Sequence, residues 1–380
     1  MNSTRLQDFA GGQQSAPPMF SDRDREWMSR ALALAEQGLY TSTPNPRVGA
    51  VVVNDGLVVG EGFHERAGEP HAEVHALRAA RGRAQGATLY VTLEPCSHHG
   101  RTPPCTSAVI DAGITRVVVA MQDPNPRVSG DGFAALRGAG ITVDVGFMED
   151  EARELNLGFV SRMVRGRPWV RMKVAATLDG RTALANRQSQ GITGEAARAD
   201  GHAWRARACA VLTGFGTVRD DNPRMDVRHV QTTRQPMKVL VDSGLETPVA
   251  SRLFDSGPVL VYGARDNSAG AAALEARGAK IVRMPNARGK VDLPRMLEDL
   301  AVRGVNELHV EAGTRLNGSL LADGCVDELL VYLAPKLIGN AGLGMFDLPE
   351  LKVLAEAREL VFRQVQPVGD DLRILARFKM

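Results

Sequence analysis

Cysteine, long hydrophobic runs and an excess of charge of either sign are scarce or missing in this sequence. Four cysteines in 380 residues are too few for the dense disulfide framework of a small secreted protein. No run of about 18 apolar residues is present to span a membrane, and the first twenty residues lack the apolar core of a signal peptide. We therefore expect a protein of the reducing cytoplasm that has no membrane partner.

The charges nearly cancel, because 46 lysines and arginines stand against 44 aspartates and glutamates and leave a formal net charge of +2. Such a chain has no overall electrostatic attraction to nucleic acid, so we expect no nucleic-acid partner and look for anion sites in local clusters. The apolar fraction of 44% is ordinary for a globular protein. The length suits two or three domains.

Patterns typical of strands and helices alternate along two stretches of the chain, with a polar stretch between them. In the first, Ser21 and Gly38 are typical of a helix start and stop, and two β-branched runs around Asn54-Asp55-Gly56 indicate a hairpin. Strands that alternate with helices indicate α/β domains. The sequence therefore predicts a disordered tail at 1–20, an α/β domain at 21–148, a partly helical connector at 149–165 and a second α/β domain at 166–380.

The most informative cluster lies in the first domain. His71 and Glu73 stand two residues apart, and two Pro-Cys pairs follow at Cys96 and Cys105. One histidine and two cysteines make the three protein ligands of a typical catalytic zinc ion, whose fourth position is left to water. Glu73 would then carry protons rather than bind metal. This is the arrangement of zinc deaminases, in which zinc-bound hydroxide attacks an amino-bearing ring carbon.

The spacing of the two cysteines departs from the general zinc-deaminase signature. Eight residues, SHHGRTPP, separate them here, where that signature has two. The basic spacer, with His98 and Arg101, indicates a phosphorylated substrate, and Asn45 and His64 offer further polar groups for it. A structural zinc site is the alternative, with His75 or His98 as a fourth ligand.

The segments HAE and PCSHHGRTPPC, together with TPNPRVGAVVV at 43–53, resemble the deaminase half of the bifunctional deaminase/reductase family of riboflavin biosynthesis. The long spacer is what separates this family from cytidine and transfer-RNA adenosine deaminases. The resemblance implies a cytidine-deaminase-like α/β/α sandwich. It also implies loss of ammonia from a 2,5-diamino-6-ribosylamino-pyrimidinone 5′-phosphate.

The second domain carries weaker signals of its own. A strand is followed by Gly-x-Gly at 214–216, but the spacing is not that of the dinucleotide fingerprint. Another strand leads into small residues at 313–319, where phosphate could approach the backbone. Together with KVAATLDG at 173–180 and GTVRDDNP at 216–223, these segments resemble the reductase half of the same family. That resemblance implies a dihydrofolate-reductase-like α/β fold and NADPH as the electron donor.

The resemblance to the reductase half also assigns residues. Those expected at the substrate are Ser189, Arg205, Arg228 and Glu311. Those expected at the cofactor are Ala175, Thr217, Asp221, Ser243 and the loop of Gly313, Thr314, Arg315, Leu316, Asn317, Gly318 and Ser319. One position departs from the family, which usually carries tryptophan just before I-T-G. Gly191 stands there, so a cofactor contact by that side chain cannot exist.

The sequence thus predicts zinc-dependent deamination and NADPH-dependent reduction in one chain, acting on small phosphorylated pyrimidines and working as a homo-oligomer. Two other functions stay open at this point. One is a nucleoside or transfer-RNA deaminase whose second domain only binds substrate. The other is a regulatory or interaction protein with structural zinc. The small net charge and the basic spacer favour the phosphorylated small molecule.

Overall fold

The computed structural model describes residues 20–98, 103–126 and 128–379, so all but the last residue of the predicted tail lies outside the described residues. The described chain forms two α/β domains, as predicted. One hydrophobic core draws on buried residues from Met28 to Phe159, and the largest core of the second domain begins at Val170. In these ranges, no helix combines the length and the apolar character needed to cross a bilayer.

The first domain is built on a five-stranded sheet in the order β2-β1-β3-β4-β5, in which β1 is antiparallel to its neighbours and the last three strands are parallel. Its elements are α1 (Asp22–Gln37), β1 (Gly49–Asn54), β2 (Leu57–Phe63), α2 (Ala72–Ala80), β3 (Thr88–Leu93), α3 (Cys105–Asp111), β4 (Arg116–Met121), α4 (Asp131–Gly138), β5 (Thr142–Val145), α5 (Glu149–Leu155) and α6 (Leu157–Arg165).

Glycines let two helices pack against opposite faces of this sheet. An added Cβ at Gly49 would lie 2.0 Å from the carbonyl oxygen of Ala31 in α1. At Gly62 it would lie 2.9 Å from the backbone nitrogen of Ala76 in α2. Gly62 pairs with Ala50, and neighbours along a strand point to opposite faces, so α1 and α2 enclose the sheet. This is the layered sandwich that the resemblance implies.

The predicted ends of the first elements are present. Ser21 Oγ accepts a hydrogen bond from the Asp24 backbone N–H, and the Asp24 carboxylate accepts one from the Ser21 N–H, which is a capping box. Asp55 and Gly56 both have positive φ angles, 48° and 76°, as a tight turn between hairpin strands requires. Sequence signals for capping and turns were therefore sufficient to place α1, β1 and β2.

Residues 149–165, predicted as a partly helical connector, are helical except at Asn156 and pack as part of the first domain. Ala152 of α5 and Phe159 of α6 are buried in the first core. The sequence of α5 does not indicate that it packs on the first domain, because the helix is mostly polar and only one of its seven side chains is buried.

The second domain is built on a nine-stranded sheet in the order β11-β10-β9-β8-β12-β6-β13-β16-β15. Its elements are β6 (Trp169–Thr177), β7 (Arg181–Ala183), α7 (Glu195–Arg207), β8 (Ala210–Gly214), α8 (Phe215–Asp221), β9 (Met237–Val241), a 3₁₀ turn (Arg252–Phe254), β10 (Val259–Gly263), α9 (Ser268–Glu275), β11 (Lys280–Arg283), α10 (Leu293–Val302), β12 (Glu307–Val310), α11 (Thr314–Ala322), β13 (Glu328–Ala334), β14 (Leu343–Gly344), a second 3₁₀ turn (Leu354–Glu356), β15 (Leu360–Val368) and β16 (Asp371–Phe378).

The strands from β11 to β13 are all parallel, and β16 and β15 extend the sheet in antiparallel fashion. After β8 the chain continues to β9 on one side, whereas after β12 it continues through α11 to β13 on the other. Ligands of open parallel sheets bind where the strand order reverses in this way, beyond the carboxyl ends of the strands. The topology therefore places a binding crevice beyond the ends of β8 and β12.

The first domain contacts the opposite end of the parallel strands of that sheet. Asn306, just before β12, donates a hydrogen bond through Nδ2 to the Pro44 carbonyl oxygen at 2.8 Å. Arg234, just before β9, donates through Nε to the carbonyl oxygen of Tyr40 at 3.1 Å. The amino ends of the parallel strands thus form the domain interface, and their carboxyl ends are left for the second site.

Candidate active sites

Three potential metal ligands meet at the start of two helices in the first domain. His71 precedes α2, Cys105 opens α3, and Cys96 lies in the loop after β3. His71 Nδ1 lies 3.2 Å from Cys105 Sγ and 3.5 Å from Cys96 Sγ. All three ligand atoms lie within 4.8 Å of one another. This spacing and this donor set fit one zinc ion.

The cluster has three members among the residues that the structure describes. The two histidines considered as a fourth structural ligand, His75 and His98, do not belong to it. Hydrogen bonds with Cys105 and His71 lower the pKa of the Cys96 thiol, and the thiolate is the form that binds metal. A three-ligand set that leaves one position for water is the arrangement of catalytic zinc.

Glu73 lies in the first turn of α2 beside the cluster and is only 3% exposed. Burial disfavours the charged carboxylate and raises its pKa to about 7, although the nearby His71 opposes the shift. A carboxyl group with such a pKa both accepts and returns a proton near neutral pH. Its position and its chemistry therefore suit proton transfer next to the metal.

A cavity of about 600 Å³ adjoins the cluster and is lined by Asn45, His64 and His98, three of the residues expected at the substrate. His64 Nδ1 lies 3.2 Å from the Pro70 carbonyl oxygen, and its Nε2 lies 3.0 Å from Asn45 Nδ2. Burial lowers the pKa of His64, so the neutral ring donates to Pro70 and accepts from Asn45. Arg101, the fourth expected residue, lies outside the described residues.

The sequence did not reveal two carboxyl groups of this cavity, Glu94 and Asp123. Glu94 is buried and accepts hydrogen bonds from the backbone N–H groups of Asp123, Gly130 and Gly132 at 2.9–3.1 Å. It thereby holds the loop after β4 against the metal side of the cavity. Burial raises the pKa of Asp123. Glu94 directly precedes the first Pro-Cys pair, and that adjacency was the available signal.

The crevice of the second domain is bordered by the starts of two helices. Gly214 precedes α8 and Gly313 precedes α11, and neither helix start carries a side-chain cap. Such ends present free backbone N–H groups, which suit phosphate. An added Cβ at Gly313 would lie 3.6 Å from Thr217 Oγ1, so these two expected cofactor residues are neighbours. This arrangement fits the diphosphate of NADPH.

The remaining expected cofactor residues lie at the same end of the parallel strands, the carboxyl end. Ala175 is half-buried near the end of β6, and Asp221 ends α8. Ser243 follows β9, and its Oγ accepts a hydrogen bond from the Val291 N–H at 3.3 Å. Ser189, expected at the substrate, donates a hydrogen bond through Oγ to Asp221 Oδ1 at 2.7 Å. Thus one substrate residue and one cofactor residue are in direct contact.

The segment 313–319 is not a loop but the first part of α11, and its residues divide into two groups. Gly313 and Arg315 are exposed at the helix start, and Thr314 between them is half-buried. Asn317 and Gly318 are buried, and an added Cβ at Gly318 would lie 2.0 Å from the carbonyl oxygen of Asp347. Leu316 packs against Gly214, and Ser319 Oγ donates a hydrogen bond to the Arg315 carbonyl oxygen at 3.0 Å. The glycine at 318 therefore permits close packing.

The expected substrate residues Arg205, Arg228 and Glu311 form one cluster. Arg205 makes a two-point ion pair with Glu311, which follows β12, and its Nη1 donates to the carbonyl oxygen of Asp226 at 3.0 Å. Arg228 pairs with the Asp226 carboxylate and is 45% exposed. The positive charges of Arg205 and Lys173 hold the pKa of Glu311 well below its usual range against the effect of burial.

Lys173 and His309 belong to this cluster too, and the sequence did not single them out. Lys173 Nζ lies 3.8 Å from Glu311 Oε2, and His309 Nε2 lies 3.3 Å from Glu311 Oε1. Burial lowers the pKa of both. Lys173 opens the KVAATLDG segment that carried the resemblance, so its place in that motif was the signal.

Fold and sites together define a chain in which a zinc-dependent deaminase domain is joined to a reductase domain. Comparison with known proteins agrees. A family model described as the cytidine and deoxycytidylate deaminase zinc-binding region matches residues 21–121. The family model of the RibD C-terminal domain matches residues 168–374.

Similar proteins cover nearly the whole chain. The riboflavin biosynthesis protein RibD of Escherichia coli is 46% identical over 92% of this chain and 98% of its own. RibD of Aquifex aeolicus is 42% identical over 94% and 99%. The solved structure of Acinetobacter baumannii RibD is 40% identical, with a TM-score of 0.87 over 94% of this chain and 99% of its own. The chain belongs to the RibD family.

Membership confirms the predicted two-domain fold and the predicted function. The protein is a bifunctional deaminase/reductase of riboflavin biosynthesis, with zinc for the first domain and NADPH for the second. The roles of individual residues stay predictions.

We expect one zinc ion per chain, and we expect Cys96→Ala or Cys105→Ala to lose it, because two remaining protein ligands hold zinc poorly. Cys325→Ala is the matched control, since Cys325 is a buried free cysteine outside the cluster. Elemental analysis of the purified, folded proteins measures the metal. A full zinc content in both cluster variants would contradict the assignment.

Proposed function

We propose that the first domain deaminates 2,5-diamino-6-(5-phosphoribosylamino)pyrimidin-4(3H)-one and that the second reduces the ribosyl group of the product, 5-amino-6-(5-phosphoribosylamino)uracil, to ribityl. The observation that carries this is the His71, Cys96, Cys105 and Glu73 group in one domain of a chain whose other domain is a reductase. A solved structure that is 33% identical, with a TM-score of 0.82, is that of the Thermotoga maritima diaminohydroxyphosphoribosylaminopyrimidine deaminase/5-amino-6-(5-phosphoribosylamino)uracil reductase.

In the deaminase cavity, His71, Cys96 and Cys105 would hold the metal. Zinc, when bound, lowers the pKa of a coordinated water and supplies hydroxide. Glu73 takes the first proton of the attacking water and gives it to the ring nitrogen. It then takes the second proton, from the hydroxyl group that the water leaves on the ring carbon, and gives it to the amino group, which departs as ammonia. The proton balance closes within the cavity, because the same carboxyl group accepts and donates.

Polar groups of the cavity wall would orient the substrate. Asn45 and His64 form one hydrogen-bonded pair whose remaining amide atoms can bind the pyrimidine edge. His98 of the cavity wall can donate a hydrogen bond to the 5′-phosphate, and Arg101 of the same spacer is the cation that the sequence predicts for it. The cavity volume of about 600 Å³ lies within the range of small-molecule sites.

Glu73→Gln should keep its zinc and lose deamination by roughly 10²–10⁴-fold, the range of general acid–base groups, because glutamine cannot accept the water proton. Ammonia release and metal content are the measurements. NADPH oxidation with the deaminated substrate serves as the internal control and should persist. Near-normal ammonia release would remove Glu73 from the mechanism.

In the second domain, NADPH, when bound, supplies the hydride. The starts of α8 and α11, with Gly313, Thr314 and Arg315, would bind its phosphates. Asp221 is placed to accept hydrogen bonds from a cofactor hydroxyl. The reaction also needs a proton at the ribosyl oxygen when the ring opens, and the ammonium group of the half-buried Lys173, 3.8 Å from Glu311 Oε2, would be its donor.

The substrate side would be formed by Arg205, Arg228, Glu311 and Ser189. The ionised Glu311 can accept hydrogen bonds from ribosyl hydroxyls, and Arg228, the most exposed cation of the cluster, can reach the phosphate. Arg205 holds Glu311 in place through two contacts and has little freedom for another role.

Arg228→Ala should raise the KM for the uracil substrate about tenfold or more, since a hydrogen bond to a charged group contributes roughly 1.5–3 kcal/mol. The Kd of NADPH should change little. Steady-state NADPH oxidation and fluorescence titration measure the two quantities. Arg224→Ala, at an exposed arginine in the same connection, is the control. A loss of NADPH binding with an unchanged KM would assign Arg228 to the cofactor instead.

We also propose that the chain forms a homodimer through β15, the outer strand of the nine-stranded sheet. Val361, Phe362 and Val365 on this strand are 46%, 67% and 51% exposed. Exposed apolar edge strands are sites of association, and one strand that meets its own copy about a two-fold axis makes a closed pair.

Phe362→Glu should convert the dimer into a monomer, because it places a charge in the centre of the proposed interface. Light scattering after size-exclusion chromatography measures the mass. Leu57→Glu is the control, since Leu57 is 70% exposed in the β1–β2 hairpin, away from β15. A wild-type mass of one chain, or a dimer that Phe362→Glu leaves intact, would exclude this interface.

A reducing compartment, the cytoplasm, suits the proposed chemistry. All four cysteines are free, and two of them must stay unoxidised to bind zinc.

A further inference from the structure

A second cavity, of about 470 Å³, lies between the two domains and belongs to neither site described above. Its walls come from Thr43 and Pro44 of the first domain and, in the second domain, from residues at or just before the starts of β8, β9, β10 and β12. Cavities of this size at domain interfaces are common small-molecule sites. This one is at the amino ends of the parallel strands, whereas the reductase crevice is at their carboxyl ends.

The charge of this cavity has one sign. Its lining includes three cations, Arg234, Lys238 and Arg303, and no aspartate or glutamate. Arg303 is paired with Asp299 at 2.7 Å. Within the described part of the chain, neither Arg234 nor Lys238 has a carboxylate within 4.0 Å. The remaining lining includes five apolar residues, Pro44, Pro236, Met237, Pro258 and Val305.

The two unpaired cations are held by neutral groups instead. Arg234 donates through Nε to the Tyr40 carbonyl oxygen and through Nη2 to those of Ala206 and Ala208, both at 2.7 Å. These bonds leave Nη1 as a donor with no partner among the described residues. Lys238 is 5% exposed and donates to the carbonyl oxygens of Leu253 and Ser256.

Lys238 is buried and Arg234 is half-buried, and cations withdrawn from water without a counter-charge are unfavourable. Desolvation lowers the pKa of both groups. An anion in the cavity would supply the missing charge, and the Arg234 Nη1 group could donate to it. The apolar walls could pack against a planar or apolar body attached to that anion.

We propose that the interdomain cavity is a binding site for a small organic anion, of the class of a mononucleotide, distinct from both catalytic sites. Its occupant would touch Pro44, which also lines the deaminase cavity. The site therefore adjoins the loop that carries Asn45.

Cys209 gives this site its own reporter. Its Sγ lies in the cavity wall, 2.7 Å from Thr43 Oγ1. Cys325 is buried, and Cys96 and Cys105 are engaged by zinc in the loaded enzyme. The rate of Cys209 alkylation, measured by peptide mass spectrometry, therefore reports the occupancy of this cavity without an activity assay.

The experiment uses the zinc-loaded full chain with uridine 5′-monophosphate and, separately, inorganic phosphate as probes. We expect the nucleotide at ten times its Kd to slow Cys209 alkylation roughly tenfold, as one-site occupancy requires. Phosphate alone should protect less at equal concentration, because it lacks the apolar body.

Two variants localise the effect. Lys238→Met and Arg303→Gln should each weaken the protection, and Arg303→Gln, at a surface side chain, is the variant that should keep the fold intact. Arg295 is an exposed arginine of α10 outside the cavity lining. In the control variant Arg295→Gln, the nucleotide should protect Cys209 as it does in the wild type. The proposal would be overturned if neither probe protects Cys209, or if both cavity variants keep full protection.

Discussion

One buried carboxylate, Glu307, holds the two domains in register. It is 2% exposed and forms ion pairs with Arg47 of the first domain and with Arg171 and Arg207 of the second, at 2.6–3.0 Å. These charges keep its pKa well below the ordinary value although burial opposes this. Removal of one partner from a buried ion pair leaves an uncompensated charge and typically costs about 3–5 kcal/mol. Domain displacement would carry a similar cost, so these ion pairs oppose it.

Short stretches of backbone connect the Glu307 ion pairs to the deaminase cavity and to the reductase cluster. Arg47 lies two residues from Asn45 and forms its ion pair with Glu307, so the second domain holds the loop that carries Asn45. Asn156 of the first domain fixes the Arg47 backbone, because it accepts a hydrogen bond from the Arg47 N–H at 2.8 Å and donates one to the Arg47 carbonyl oxygen at 2.9 Å. Glu307 opens β12, and Glu311 directly follows that four-residue strand. The same strand therefore anchors the interface at one end and the reductase cluster at the other.

The sequence was informative where function depends on neighbours in the chain. The Pro-Cys and His-x-Glu patterns of the expected zinc ligands are local, so the three ligands and Glu73 could be proposed without a fold. Glu94 and Lys173 could not, because their partners lie 29 to 138 residues away in the chain. His309 is only two residues from its partner Glu311, but nothing in the sequence links that pair to Arg205 and Lys173. The small residues at 313–319 predicted a backbone that phosphate can approach. The sequence did not show that Leu316 packs against Gly214 and that Gly318 packs against Asp347, because both contacts join segments that are distant in the chain.

Gly191 shows how backbone geometry explains a departure from the family pattern. Its φ is +82°, in the region that favours glycine, and an added Cβ would meet nothing within 4 Å. The space around it would accept a larger side chain, but the backbone conformation would be strained by one. Lys336 Nζ holds this conformation by donating hydrogen bonds to the carbonyl oxygens of Gly191 and Ile192 at 2.7 Å and 2.8 Å. Since Ser189 is fixed on Asp221 two residues earlier, this segment contacts the cofactor side through Ser189 and not through a side chain at 191.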